Sequence, residues 1–325
     1  LFLLLIWYIL TAGAKPIVTP GILPKPLDVL KVYRELILEN ELFTNLFRSM
    51  GLNLAGYLES VFLAIPIGFI IGLWPFFRGS FQRGVDAIRF VPLTAVTGLF
   101  IVWFGLGTEM KVHFLAFGIF IYLLPVVVQR IDEVQNVYLK TVYTLGATDW
   151  QMIRTVYIPS VISRLSDDIR VLTAISWTYI IIAEAKGNQG GIGALLWRVG
   201  ERQGRVDKVF AILLLIIFIG ILQDKLFTYL DKEFFPYKYQ TKDKYQRKET
   251  EFTNILSSIW EYAVNAMLWI FIIGYVILLV NEFVPIFNSP VLTTLFGDTQ
   301  WAVTMVVLAV LGYKCFKLYK RFAVK

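Results

Sequence analysis

Catalysis needs side chains that attack, hold a proton or bind a metal, and this 325-residue sequence is short of them. It has one histidine, His113, and one cysteine, Cys315. A lone cysteine excludes a disulfide framework. No cluster of His, Cys and carboxylate at ligand spacing accompanies either residue, so no metal site is read. Cys315 lies in an apolar-to-basic stretch and reads as a small buried or lipid-facing residue. His113 reads as an interfacial or packing residue. An intramembrane metallo- or cysteine enzyme is thereby disfavoured, while carboxylate chemistry stays open.

The remaining chemical groupings are about binding. Glu184 closes an apolar run, and an ionisable group inside hydrocarbon costs about 2.5–3.5 kcal/mol on insertion scales, so such a group usually faces a cavity or a partner. It could equally reach headgroup water. Arg198, Arg202 and Arg205 fall on one helical face, either as a solvated face or as an attractor for an anion or an acidic partner; Glu201 next door weakens the anion reading. Gly187 through Gly193 is glycine-rich but lacks the Lys-Ser/Thr ending of a nucleotide-binding loop, so it reads as a turn. With no nucleotide site in the chain, any ATP must bind elsewhere. Trp103, Trp177 and Trp197 sit near expected membrane interfaces; aromatic belts explain them, and lining of a pathway is the other reading.

The elements that position these groups are membrane helices. The sequence is 57% hydrophobic with a mean hydropathy of +0.65, above the roughly 45–50% apolar content of soluble domains. Too few polar residues remain to cover a core of this size, so the bilayer is the solvent. The net charge of +7 does not indicate nucleic acid, because the basic residues flank apolar runs as membrane topology would place them.

The expected fold is all-α, a polytopic helical bundle of about six core spans plus two at the C-terminus. The runs are Leu1–Ala12, Leu52–Phe77 (closed by Arg78, Arg83 and Arg89), Val91–Phe104, Val112–Val128, Val171–Ala185 and Val209–Phe227, then Tyr262–Val280 and Trp301–Tyr313. A Pro-rich segment and an amphipathic stretch to about Met50 follow the first run. That run is too short to span, and the chain opens on Leu1, so residues are expected upstream. Two divisions follow: 1–239 as the membrane domain, and 262–325 as an added two-helix segment joined through a charged linker, 240–261. With the amino end inside and eight crossings, about 20 Lys and Arg lie inside and about 11 outside. This makes the linker, the tail and Gln129–Arg170 cytoplasmic.

Gln129–Arg170 carries the clearest pattern. Ile131, Val134, Tyr138, Val142 and Leu145 share a helical face. Gly146 supplies a left-handed stop. Thr148 and Gln151 form a capping box, with Asp149 in the first turn of a second helix. Trp150, Ile153 and Tyr157 share its apolar face, and Pro159 is expected to end it. Two short amphipathic helices therefore meet at a glycine corner, with Trp150 near the tip. Docking into a partner's groove and folding against the membrane surface are both consistent with that pattern.

Thr144-Leu145-Gly146-Ala147 followed by Val156-Tyr157-Ile158-Pro159 resembles the cytoplasmic EAA loop of ABC importer permeases, in which E-A-A-x-x-x-G is followed about nine residues later by I-x-L-P. The opening triplet differs, being Lys140-Thr141-Val142. Further segments resemble the nitrate/sulfonate/taurine/bicarbonate branch of that family. They are Ile22-Leu23-Pro24-Lys25-Pro26, Arg89-Phe90-Val91-Pro92, Val102-Trp103-Phe104-Gly105-Leu106-Gly107, Trp177 through Ala183-Glu184, and Gly191-Ile192-Gly193. The resemblance covers about Leu1–Tyr239 and leaves the last two helices unexplained.

The resemblance implies a non-enzymatic permease subunit of the bacterial cytoplasmic (inner) membrane, paired as a permease dimer. Two ABC ATPase subunits would hold ATP and Mg, and an extracytoplasmic binding protein would deliver a small anionic solute. It implies an ATPase-coupling role for Leu145, Gly146, Ala147, Thr148, Trp150, Ile153, Ile158 and Pro159, and makes Trp103, Trp177 and Glu184 candidates for the translocation pathway. The competing reading is a secondary transporter or channel, which would need no ATPase and should show a mid-membrane ion site such as paired carboxylates; no such pair is visible in the sequence.

Overall fold

The computed structural model describes residues 2–13, 16–186, 190–239, 251–284 and 289–323. Among the described residues the regular structure is helical, with no strand. The helices are α1 (Phe2–Thr11), α2 (Pro26–Leu38), α3 (Leu42–Leu73), α4 (Pro75–Ile88), α5 (Leu93–Phe104), α6 (Thr108–Asp132), α7 (Asn136–Thr144), α8 (Asp149–Met152), α9 (Ile158–Lys186), α10 (Ile192–Trp197), α11 (Val206–Phe234), α12 (Glu251–Phe283), α13 (Val291–Phe296) and α14 (Gln300–Ala323). Five segments are long and apolar enough to cross a membrane: α3, α6, α11, Tyr262–Phe283 of α12, and Val291–Lys317 of α13–α14. A sixth arises if α4 and α5, which meet at 106°, count as one broken span.

The centre of the bundle is α3 lying beside α6 in the same direction. Small residues on α3 let the backbones approach, as is usual where lipid gives helices no hydrophobic reason to associate. A Cβ on Gly68 would stand 2.5 Å from Val127 Cγ1, and one on Gly72 would stand 2.6 Å from Ile131 Cδ1. Helix α9 packs on α6 and also reaches α3, where Tyr57 OH donates to Ile169 O at 2.6 Å, and Trp177, Ile180 and Leu165 join Leu123, Val127 and Ile131 in one buried core.

Several expected boundaries move. The second run begins ten residues earlier, at Leu42, and ends at Leu73. Arg78 and Arg83 do not close it. They lie on α4, a separate amphipathic helix started by Pro75, whose missing N–H costs nothing at a first helical position. Pro159 does not end the helix that begins at Asp149. A π-turn, Ile153–Tyr157, carries the helix into α9, in which Pro159 is the second residue. Proline cannot donate to the carbonyl four residues back and collides with it. The wider turn removes the conflict, with the Ile158 N–H bonding Ile153 O instead.

The second half of the expected linker, from Glu251, is helical. Helix α11 reaches Phe234 and α12 starts at Glu251; residues 240–250 lie outside the described set. The C-terminal helices pack on the bundle. At one end, Phe296 meets Phe47 with ring centroids 5.6 Å apart, and Thr108 Oγ1 donates to Asp298 Oδ2 at 2.9 Å. At the other, Lys314 Nζ donates to Asn265 Oδ1 at 2.6 Å and to Tyr229 OH of α11 at 3.3 Å, while Lys317 pairs with Glu233 at 2.7 Å.

Candidate functional site

The corner between α7 and α8 is built from local hydrogen bonds. Gly146, at φ +79°, occupies the left-handed position that a side chain disfavours. Its N–H bonds Tyr143 O at 3.0 Å and the Ala147 N–H bonds Val142 O at 3.3 Å, the paired bonds of a Schellman stop. One residue later the next helix begins. Gln151 N–H donates to Thr148 Oγ1 at 3.3 Å, and Thr148 N–H donates to Gln151 Oε1 at 2.8 Å. The capping box read from the sequence is therefore formed. These local bonds set the turn, while Leu139 of α7 and Val156 and Tyr157 beyond α8 pack against the bundle core.

Its tip is apolar and uncovered. Leu145 is 81% exposed and Trp150 is 66% exposed, with Tyr138 and Tyr143 also exposed beside them. Ile153 and Ile158 are half-buried, Ala147 is half-buried, and Pro159 is exposed. The continuous face expected from Ile131 to Leu145 is broken. Ile131 is buried in the last turn of α6, Val134 is buried in the gap, and α7 starts afresh at Asn136, so only the tip of that face is free.

The root of the elbow is fixed by ion pairs. Arg130 makes a bidentate bond to Asp168 on α9, Nε to Oδ2 at 2.7 Å and Nη2 to Oδ1 at 2.8 Å. Its Nη1 also donates to Glu133 Oε2 at 2.6 Å. Glu133 accepts from Arg164 Nη1 at 3.3 Å, and Arg78 of α4 pairs with Asp132. The Arg130 hydrogen bond holds the Glu133 carboxyl below its ordinary value of 4.5. Bidentate Arg–carboxylate pairs fix orientation as well as distance.

The opposite end of α9 is closed. Glu184 is fully buried. Its Oε1 accepts from Ser49 Oγ at 2.6 Å and its Oε2 from Gly193 N–H at 2.7 Å. Ser49 Oγ in turn accepts from Ile192 N–H at 2.8 Å, and Asn45 Oδ1 from Gly191 N–H at 2.8 Å. Gly191, at φ +106°, leaves no room for a side chain, since a Cβ there would stand 2.3 Å from Glu184 Cδ. Residues 187–189 of the glycine-rich stretch lie outside the described set.

The model of the family described as "binding-protein-dependent transport system inner membrane component" matches residues 64–235, more than half of the chain. The chain belongs to this permease family. The putative aliphatic sulfonates transport permease protein SsuC of Bacillus subtilis is 28% identical over 232 residues, which are 70% of this chain and 82% of that protein. The taurine transport system permease protein TauC of Escherichia coli is 25% identical over 225 residues, 68% of this chain and 81% of that protein. In structure, the chain resembles one from the inward-facing MetNI methionine ABC transporter. The TM-score is 0.51 at 16% identity, over 57% of this chain and 92% of that one, which is a likeness of fold.

The permease is thus an inner-membrane subunit of a binding-protein-dependent ABC importer, non-catalytic and without a cofactor of its own, and the family implies ATPase and binding-protein partners. The family match spans the elbow and Glu184 and ends before α12. Of the three residues singled out for a pathway, the permease buries two. Trp177 is 6% exposed and donates from Nε1 to Gln223 Oε1 of α11 at 3.0 Å, and Glu184 is held as described. Trp103 is exposed on α5, in an aromatic cluster round Phe100. Arg205 pairs with Glu35 and Asp207, and the Arg202 guanidinium lies 4.1 Å over the Trp197 ring. Among the described residues no group of three or more metal-type ligands gathers. Among the pairings the sequence did not suggest, His113 Nδ1 lies 2.8 Å from Glu59 Oε1, 54 positions away.

Proposed function

We propose that the permease moves a small anionic solute of the nitrate/sulfonate/taurine/bicarbonate kind by alternating access, driven by ATPase subunits that grip the α7–α8 elbow. The observation that carries this reading is the uncovered apolar tip, Leu145 and Trp150, on a corner shaped by local hydrogen bonds. A helix corner presenting an aromatic anchor suits a groove on a partner. Closure of the ATPases would move the tip, and the Arg130–Asp168 bond would carry that motion to α6 and α9 together. The solute class is supported by the likeness to a putative aliphatic sulfonates permease and to a taurine permease.

In this reading residues 1–239 are the permease domain with eight crossings in the whole chain: α1, α3, α4–α5, α6, α9 and α11 in the core, and α12 and α14 added. The elbow, Arg78, Asp132 and the 240–261 linker face the cytoplasm; the Glu184 loop faces outward, towards the binding protein. Two copies form the permease unit, and Trp103, Trp177 and Glu184 border the pathway, Glu184 by holding the loop over it. The test is uptake into vesicles containing the permease, its ATPase and its binding protein. The expected result is ATP-dependent uptake that Trp150→Asp or Gly146→Pro abolishes without loss of membrane insertion. Uptake by the permease alone, with no ATPase in the vesicle, would make it a secondary transporter or channel.

A further inference from the structure

The C-terminal end of α11 is gripped from two sides. At the α-helical repeat, Asp224, Thr228 and Asp231 share one face of the helix, and Tyr229 and Glu233 share the opposite face. The first face meets α9. Arg170 pairs with Asp224 at 3.3 Å and donates from Nη1 to Thr228 Oγ1 at 2.9 Å, and Ser166 Oγ donates to Asp231. The second face meets α14 of the C-terminal segment. Lys317 pairs with Glu233 at 2.7 Å, Tyr313 OH donates to Glu233 O at 3.0 Å, and the Tyr313 ring lies on Phe234 at a centroid distance of 4.3 Å.

Lys238 closes the first contact. It follows α11, where the chain turns back onto α9. An ammonium has three hydrogens to donate, and three acceptors meet this one: Ser163 O at 3.0 Å, Asp167 Oδ2 at 2.8 Å and Asp231 Oδ2 at 3.1 Å. Asp231 is buried, so removing its partner leaves a carboxylate short of compensation. Ser163, Ser166, Asp167 and Arg170 lie on one side of α9. Asp168, which takes the bidentate bond from Arg130 at the elbow root, lies on the other. Helix α9 is thus tied to α6 by one side and to α11 by the other, next to the elbow.

The C-terminal segment extends this connection along the bundle. Lys317 of α14 is at the end of α11. The turn before α14 is at the starts of α3 and α6, with Phe296 on Phe47 and Asp298 on Thr108. The family match stops at residue 235, so Lys238 and this segment lie beyond it.

We propose that Lys238 is a positioning residue for coupling, which through Asp167 and Asp231 makes α11 and the C-terminal segment move with α9 when the elbow moves. This rests on the transport reading above and extends it to the part of the chain outside the family match. Contiguous ion pairs and packed helices can carry displacement between distant sites. Here they run from Arg130 through α9, Lys238 and α11 to α14.

The test reads movement and needs no solute. Full chains in a Cys315→Ser background are assembled with the ATPase in lipid nanodiscs. One spin label is placed at Leu106→Cys, just before α6, and a second at Tyr143→Cys on the elbow or at Tyr319→Cys on α14, all exposed positions. Distances are measured by electron resonance with and without a non-hydrolysable ATP analogue. The proposal expects the nucleotide to shift both distances by about 2 Å or more. Lys238→Ala should keep the shift at position 143 and abolish the one at position 319, and Lys238→Arg should restore it. A purely structural role would lower the melting temperature and leave both shifts in place. Should Lys238→Ala fail to reconstitute, Asp167→Asn, at a half-exposed site, gives the same reading. A shift at 143 with none at 319 in the parent chain, or a shift at 319 that survives the variant, overturns this proposal alone. No shift at 143 overturns the elbow reading as well.

Discussion

The two ends of α9 are built by opposite rules. At the Glu184 end every oxygen of the buried carboxylate has a protein donor, and the neighbouring loop is pinned through Gly191, Ile192 and Gly193. At the elbow tip, from Tyr143 to Gln151, the hydrogen bonds are local, and Leu145 and Trp150 are exposed. In the proposed reading one end is a fixed point and the other a handle, joined by a helix about 44 Å long from the 29 residues of α9. A helix anchored at one end transmits displacement applied at the other. The contrast teaches that stability and coupling are separable here, and that substitutions at the two ends should fail in different assays.

The largest effect should come from the fixed end. Gly191→Ala places a methyl group 2.3 Å from Glu184 Cδ at a left-handed φ, and should sharply reduce the yield of folded permease. Glu184→Ala strands the Gly193 N–H and the Ser49 hydroxyl at about 1–3 kcal/mol each, read as a fall in melting temperature in detergent. At the handle the order of effects reverses. Trp150→Asp should leave melting within about 0.5 kcal/mol, as for other exposed sites, yet cut ATP-driven uptake by more than about tenfold, the loss that about 1.4 kcal/mol of docking energy brings. Should Trp150→Asp unfold the permease, or Glu184→Ala spare its stability, the two ends are not different in kind.

The link between the ends gives an intermediate case. Asp168→Asn weakens the bidentate bond from Arg130. It should lower uptake several-fold while ATP hydrolysis continues, and a double-mutant cycle with Arg130→Ala should show a coupling of about 1–2 kcal/mol. The smallest effect is one of pH. Glu133 titrates below its ordinary 4.5 in the folded chain, so its contribution is complete above that value and is lost as pH falls through the lowered folded value. Hydrogen exchange at the elbow root should therefore quicken only in acid below about pH 4.5, with Glu133→Gln abolishing that dependence.

Much of this was legible in the sequence, for a physical reason. The stop at Gly146 and the capping box at Thr148 use partners three to five residues apart, and such patterns survive in one dimension. The match of the family model to 64–235 agrees with a likeness first carried by short motifs. What the sequence hid was long-range. Arg130 and Asp168 are 38 positions apart, Glu59 and His113 are 54 apart, and Ser49 and Glu184 are 135 apart. Each lies on a helix whose rotation only packing fixes. Pro159 misled for a different reason: the rule that proline ends a helix assumes a regular ladder, and the π-turn before it changes the ladder.

The central claim is that the elbow tip meets an ATPase on the inner side. Its most direct test is a Trp150→Cys variant in a Cys315→Ser background, embedded in sealed vesicles with the ATPase. The account predicts that thiol cross-linking joins position 150 to the ATPase, that ATP changes the yield, and that an impermeant thiol reagent reaches position 150 only from the ATPase side. Labelling of position 150 from the opposite side, or no adduct with the ATPase while ATP-driven uptake proceeds, would contradict it.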